Sequence, residues 1–167
     1  LIFYDEGKYE EAMKCYDEAI EIDGKDIIAW HSRALLLNKT EKYEESLKSW
    51  GKSIEIDPKD TCAWYNMGLI FEKLKKYDEA LECYNTSIQI DPYSIDALKG
   101  KASILILRKR YKEAMKCYDS ILNLDFKDIS AWNGRALVLY YLKKYDESLI
   151  CYTKALEISP LNEDGLN

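Results

Sequence analysis

The stretch KYDEALECYNTSIQIDP at residues 76–92 repeats the skeleton of KYEESLKSWGKSIEIDP at residues 42–58: Lys-Tyr, two acids, a small residue, Leu, an aromatic, then Ile-x-Ile-Asp-Pro. The offset is 34 residues, and it holds along the chain. Tyr9, Tyr43, Tyr77, Tyr111 and Tyr145 form one register, and Tyr16, Trp50, Tyr84, Tyr118 and Tyr152 a second. Trp30, Trp64 and Trp132 form a third, with Leu98 in the missing slot. Two registers are small: Ala34, Gly68, Ala102, Ala136, and Ala12, Ser46, Ala80, Ala114, Ser148. No insertion breaks the phase, which divides the chain into whole units at 27–60, 61–94, 95–128 and 129–162. Residues 1–26 read as the end of an earlier unit and 163–167 as the start of a later one. A fixed period of this length marks an architecture in which each repeat supplies its neighbour's core.

Each unit predicts two helices. In 61–94, Trp64, Met67, Gly68, Phe71 and Leu74 recur at three- and four-residue steps, as an amphipathic helix requires. LKKY at 74–77 reads as a short turn. Tyr77, Ala80, Leu81, Tyr84 and Ile88 line a second helix, which Asp91-Pro92 ends because proline cannot continue the hydrogen-bond ladder. Lys75-Lys76 and Asp78-Glu79 sit where the helix macrodipole favours cations and anions respectively. The small residues let two helix backbones approach to ~8–10 Å.

At 47% hydrophobic and 32% charged, the 167 residues describe a foldable chain. The net charge of −6 argues against nucleic acid and anionic lipid as general partners. No apolar run approaches the ~18 residues of a membrane span. The chain opens LIFYDEG without Met, as expected of a piece of a longer protein. An odd number of cysteines, five, fits a reducing, cytoplasmic compartment. Cys15, Cys83, Cys117 and Cys151 share one register. Rungs on helices ~8–10 Å apart cannot converge on a metal at ~2.3 Å, so no metal site is expected and packing accounts for them. His31 is the only histidine, no Gly-rich phosphate loop is present, and the paired acids recur in phase at helix starts. Catalytic residues, cofactors and enzymatic activity are therefore not expected.

Trp, then Gly or Ala, then Tyr, Ala, an aromatic and Pro on a 34-residue helix–turn–helix unit resembles the tetratricopeptide repeat, and 61–94 carries Trp64, Gly68, Phe71, Tyr77, Ala80, Tyr84 and Pro92. The resemblance covers the chain and implies an all-α, right-handed superhelical solenoid of antiparallel helix pairs, a single array over 1–167. The seventh position departs from the family's leucine, with Arg33, Met67, Lys101 and Arg135, whose stems are expected to pack while the charged heads reach water. Unit 95–128 is the weakest copy, with Leu98, Ile121 and Phe126 in place of Trp, a small residue and Pro, and a looser or differently angled junction is expected there. Apolar ends such as Leu1, Ile2 and Phe3 leave self-association open.

The resemblance also implies that the first helix of each unit lines a concave groove. Its inward positions nominate His31, Leu35, Asn38, Tyr65, Asn66, Leu69, Lys73, Lys99, Asn133, Leu137, Tyr140 and Tyr141 as peptide-binding candidates. The carboxylate clamp of the family's chaperone adaptors is not matched, since its slots hold His31, Leu35, Asn66, Asp96 and Gly100, with only Asn66 fitting. The asparagine ladder of the family's sugar-transferase repeats is also missing, with Ser32, Asn66, Gly100 and Gly134 in its slots. The expectation is a scaffold that binds a peptide segment or helix of a protein partner. The alternative is the substrate-recruiting region of a larger enzyme, for example a transferase, with its catalytic domain elsewhere.

Overall fold

The computed structural model describes residues 8–159, and these form helices joined by short turns, with no strand. In chain order they are α1 (Tyr9–Ile22), α2 (Ile27–Lys39), α3 (Tyr43–Ile56), α4 (Thr61–Lys73), α5 (Tyr77–Ile90), α6 (Ile95–Leu107), α7 (Tyr111–Leu124), α8 (Ile129–Tyr141) and α9 (Tyr145–Ile158). The fold class is all-α, built of helix pairs. Two compact units divide the chain, one ending at Asp91 and one beginning at Pro92. The first contains α1–α5 and the second α6–α9. Leu1, Ile2, Phe3 and the start of a further repeat at 163–167 lie outside the described residues.

The turn inside each pair is a Schellman motif. Lys42 N–H donates to Leu37 C=O and Glu41 N–H to Asn38 C=O, and the same bonds recur at Lys76–Phe71, Arg110–Leu105 and Lys144–Leu139. The motif needs one left-handed residue, and here it is never glycine: Glu41, Lys75, Lys109 and Lys143 hold φ of 57–62°.

The turn between pairs is set by aspartate. Asp23, Asp57 and Asp125 end α1, α3 and α7, each accepting from the N–H two residues on, at 2.9 Å. Proline is not required, because α7 ends at Leu124 before Asp125-Phe126 as cleanly as α3 ends before Asp57-Pro58. Asp26, Asp60, Ser94 and Asp128 then cap α2, α4, α6 and α8 by accepting from the N–H of Ala29, Ala63, Ala97 and Ala131. The indole N–H of Trp30, Trp64 and Trp132 donates to the carbonyl of Gly24, Pro58 and Phe126, pinning the loop that precedes its own helix.

In the first unit Trp50 is fully buried beside Ala34, Ala63 and Ile70, with Tyr43, Leu47, Ile54 and Met67 closing around it. The glycines make room for rings rather than for a neighbouring backbone. A Cβ on Gly68 would lie 2.6 Å from the Tyr84 ring. In the second unit the same slot holds Ala102, and Tyr118 instead lies over Gly134, where a Cβ would meet its ring at 2.3 Å. Buried serines in the other small register are satisfied: Ser46 donates to Ala34 C=O and Ser148 to Ala136 C=O, both at 2.7 Å. Leu98 and Ile121 are buried in the second unit, so the weakest copy keeps ordinary helices. Tyr145, Leu149, Tyr152 and Leu156 of α9 are exposed, whereas their counterparts Tyr43, Leu47, Trp50 and Ile54 pack under α4.

Candidate functional site

On two of the first helices, α2 and α6, the fifth position is committed internally. His31 on α2 is half-buried, and its Nε2 lies 2.6 Å from Asp60 Oδ2 and 2.9 Å from Ser53 Oγ. Ser53 donates its own proton to Asp60 Oδ2 at 2.5 Å. Nε2 must therefore carry a hydrogen, because a bare nitrogen would face a carboxylate lone pair. Serine and aspartate meet the same ring nitrogen, so the trio is not a nucleophile–base–orienter relay, which needs them on opposite nitrogens. Burial disfavours the Asp60 charge, yet hydrogen bonds from Ser53, from Ala63 N–H and from His31 outweigh it and hold the carboxyl below its ordinary range. The second unit repeats the device with lysine: Lys99 Nζ sits 2.6 Å from Asp128 Oδ2, and Ser130 donates to Oδ1 at 2.6 Å. Asp128 is likewise lowered, burial opposing and Lys99, Ser130 and Ala131 prevailing.

The thirteenth position stacks on the tyrosine register of the preceding pair. Lys39 lies over Tyr9 at 5.3 Å and Lys73 over Tyr43 at 5.6 Å. In the second unit Tyr141 takes the slot and stacks on Tyr111, ring centres 5.2 Å apart and 13° from parallel.

The remaining candidates are uneven. Leu35 is 42% exposed, Leu69 and Leu137 are half-buried, and Asn133 is exposed. Tyr65 is half-buried with its ring 6.0 Å from that of Tyr84. Asn66 is buried and donates to Cys62 C=O at 2.8 Å, a bond within its own helix. Tyr140 and Tyr141 are 55% and 47% exposed. At the twelfth position Glu72 accepts from the buried Tyr84 hydroxyl at 2.9 Å. The equivalent pair one repeat earlier, Asn38 and Trp50, leaves Asn38 Oδ1 and Trp50 Nε1 buried without a hydrogen-bond partner.

Arg33 and Arg135 correct the expectation that the seventh-position heads reach water. Arg33 Nε donates to Asp17 at 2.7 Å and its Nη1 to Ser49 at 2.7 Å. Arg135 does the same to Asp119 at 2.9 Å and to Cys151 Sγ at 3.0 Å. A guanidinium has donors enough to tie the preceding second helix to its own partner helix. Cys15 and Cys62 are exposed, while Cys83, Cys117 and Cys151 are buried. Burial, with Glu82 and Glu79 adding, pushes the Cys83 thiol up to about 12, away from nucleophilic use. No helix among the described residues is long and apolar enough to cross a membrane.

Comparison with known proteins bears on the fold. A tetratricopeptide repeat model matches residues 61–94 and 129–162, and a second TPR repeat model matches 1–41 and 36–75. A protein prenyltransferase alpha subunit repeat model matches 111–142. No curated protein matches the chain. Among solved structures, MamA is similar at 16% identity and a TM-score of 0.85, over 93% of this chain and 91% of that one. A MamA fragment from Desulfovibrio magneticus RS-1 gives 16% and 0.84 over 96% and 91%. YrrB, a TPR protein with an unusual peptide-binding site, gives 19% and 0.79 over 96% and 83%. At these identities the neighbours speak to the fold alone. The repeat models together take in well over half the sequence, and the chain belongs to the tetratricopeptide repeat family.

Proposed function

We propose that the chain is a protein-interaction scaffold that holds a peptide segment or a helix of a partner protein against the exposed faces of its first helices. The observation that carries this reading is the apolar and aromatic content left outside the core on those helices: Leu35 with half-buried Tyr65 and Leu69 in the first unit, and Tyr140 and Tyr141 with half-buried Leu137 in the second. Such side chains suit recognition by shape and burial. The net charge of −6 supports protein rather than nucleic acid or membrane as partner, and the free thiols support a reducing cytoplasmic setting.

The test is partner capture by the chain and by a variant carrying Leu35→Ser, Tyr65→Ala and Leu69→Ser, with bound proteins identified by mass spectrometry. Lys99 stays intact because it holds Asp128. Loss of partners with unchanged far-ultraviolet circular dichroism supports the reading, and an identical set of partners refutes it. Self-association through the exposed face of α9 is a separate proposal, and a solution mass independent of concentration would remove it. The second reading, a substrate-recruiting region of a larger enzyme such as a transferase, draws on the prenyltransferase-repeat match at 111–142. A catalytic domain in the parent reading frame would favour it, and a frame made of repeats alone would remove it.

A further inference from the structure

We propose that one edge of the second unit, formed by the α6–α7 and α8–α9 turns, docks an acidic peptide segment that carries an aromatic side chain. The inference rests on the first-helix faces being the capture surface, and it names the chemistry of what they capture there.

Residues 108–113 read RKRYKE and residues 140–147 read YYLKKYDE. The two stretches hold six cations against three acids, in a chain whose overall balance is −6. The local acids do not cancel the excess. Glu113 is taken by Arg110, through bonds of 2.7 and 2.8 Å, and Glu147 by Lys144 at 2.7 Å. Lys109, Lys112 and Lys143 are exposed, with no ion-pair partner among the described residues.

The cations surround a preformed aromatic platform. Tyr141 stacks on Tyr111, and Tyr140 meets Tyr141 at 6.0 Å and 71° and Tyr145 at 5.6 Å and 62°. The rings brace one another, yet Tyr140, Tyr141 and Tyr145 are each about half exposed. Rigid aromatics that remain exposed lose little side-chain freedom on binding. At Tyr111 a cleft of about 320 Å³ is lined by Lys109, Arg110, Tyr111, Lys112, Glu113 and Leu142. The first unit has no such platform: Lys39 and Lys73 occupy the slots over Tyr9 and Tyr43, and Thr40-Glu41 replaces Arg108-Lys109 in the turn.

Charge complementarity selects carboxylates for the rim, and edge-to-face packing selects an aromatic group for the platform. Nucleic acid fits less well. Tyr111 already covers one face of Tyr141, the tilted rings offer no continuous stack for bases, and the overall negative charge repels a long polyanion.

The experiment is fluorescence anisotropy on the full chain. The probe is a fluorescein-labelled nonapeptide of aspartates and glutamates around a central phenylalanine. Its comparators are the same peptide with asparagines and glutamines, and a nine-nucleotide oligothymidylate. The acidic peptide is expected to bind more tightly than both and to weaken as salt rises. Lys109→Glu, Lys112→Glu and Lys143→Glu together should lower affinity at least about tenfold, as should Tyr140→Ala with Tyr145→Ala, with circular dichroism unchanged. No binding of the acidic peptide, equal binding of the neutral one, tighter binding of oligothymidylate, or indifference to both variants each overturns the proposal. Such a failure, with partners still lost on changing Leu35, Tyr65 and Leu69, would remove the acidic ligand and leave the scaffold reading standing.

Discussion

Replacing Asp60 with alanine should destabilise the chain about three times as much as the same change at Asp26, although both residues cap a first helix from the same place in the repeat. Asp26 accepts one backbone bond, from Ala29 N–H at 3.0 Å. Losing a cap of this kind costs ~1 kcal/mol. Asp60 accepts the equivalent bond from Ala63 and also receives Ser53 and His31, at a side chain only 7% exposed. Removing it takes this acceptor from two donors, at ~1 kcal/mol each, since the His31 side chain, 23% exposed, admits water and still faces Ser53 Oγ. The expected losses are therefore ~1 kcal/mol for Asp26→Ala and ~3 kcal/mol for Asp60→Ala. Urea unfolding of the wild type and both variants, followed by circular dichroism, measures them. Equal losses would show that the His31–Asp60–Ser53 contacts contribute nothing net, and would refute the reasoning.

Acidity supplies an independent check. Burial raises the Asp60 pKa, but its hydrogen bonds prevail and the folded value lies below the ordinary carboxylate. A lowered folded pKa means that the stabilisation is complete above the unfolded value of about 3.9 and is lost as pH falls through the folded one. The gap between wild type and Asp60→Ala should narrow as pH falls below about pH 4. A gap that instead closed between pH 8 and 6 would assign the coupling to a different group.

Lys75→Gly should stabilise the chain by ~0.5–1 kcal/mol, because a left-handed non-glycine residue is strained by ~1–2 kcal/mol and glycine returns part of that as backbone entropy. A lower urea midpoint for this variant would count against the Schellman geometry of the turn. Gly134→Ala should cost ~1–3 kcal/mol, since the new Cβ meets the buried Tyr118 ring, whereas Gly51→Ala, with nothing within 4 Å, should gain up to ~1 kcal/mol from helix propensity. Opposite signs in the same unfolding assay are expected, and a stabilising Gly134→Ala would mean that Tyr118 does not occupy that space.

The fold was legible because four or five copies of one pattern vote on each core position, so Leu98 and Ile121 could depart without blurring it. The helix-ending aspartates are in phase at Asp23, Asp57 and Asp125, and it is their Asx turns, not a following proline, that all three helix ends share. The caps were written as Asp-x-x-Ala at Asp26, Asp60 and Asp128, a local signal that could have been found. The Arg33–Asp17 and Arg135–Asp119 pairs could not be read the same way. Their partners lie 16 residues apart on different helix pairs, and that spacing acquires meaning only once the pairs are stacked.

The same non-local logic explains why the nominated groove residues behave so differently from one another. A first helix whose cap is a nearly buried carboxylate needs a donor beside that carboxylate, and the nearest surface able to supply one is the first helix of the preceding repeat. His31 and Lys99 meet that demand, so two polar side chains that look poised for a ligand are already committed within the protein. Lys73 is likewise placed over Tyr43, and Asn66 is turned back on its own helix. On the proposed reading, discrimination then falls to side chains that the stacking does not consume. In the first unit these centre on Leu35. In the second, Tyr141 replaces the lysine over its tyrosine, and the α6–α7 turn gathers cations instead of balancing them. A repeat scaffold of this kind acquires specificity where a copy departs from the pattern, because the positions that obey it are occupied in holding the copies together.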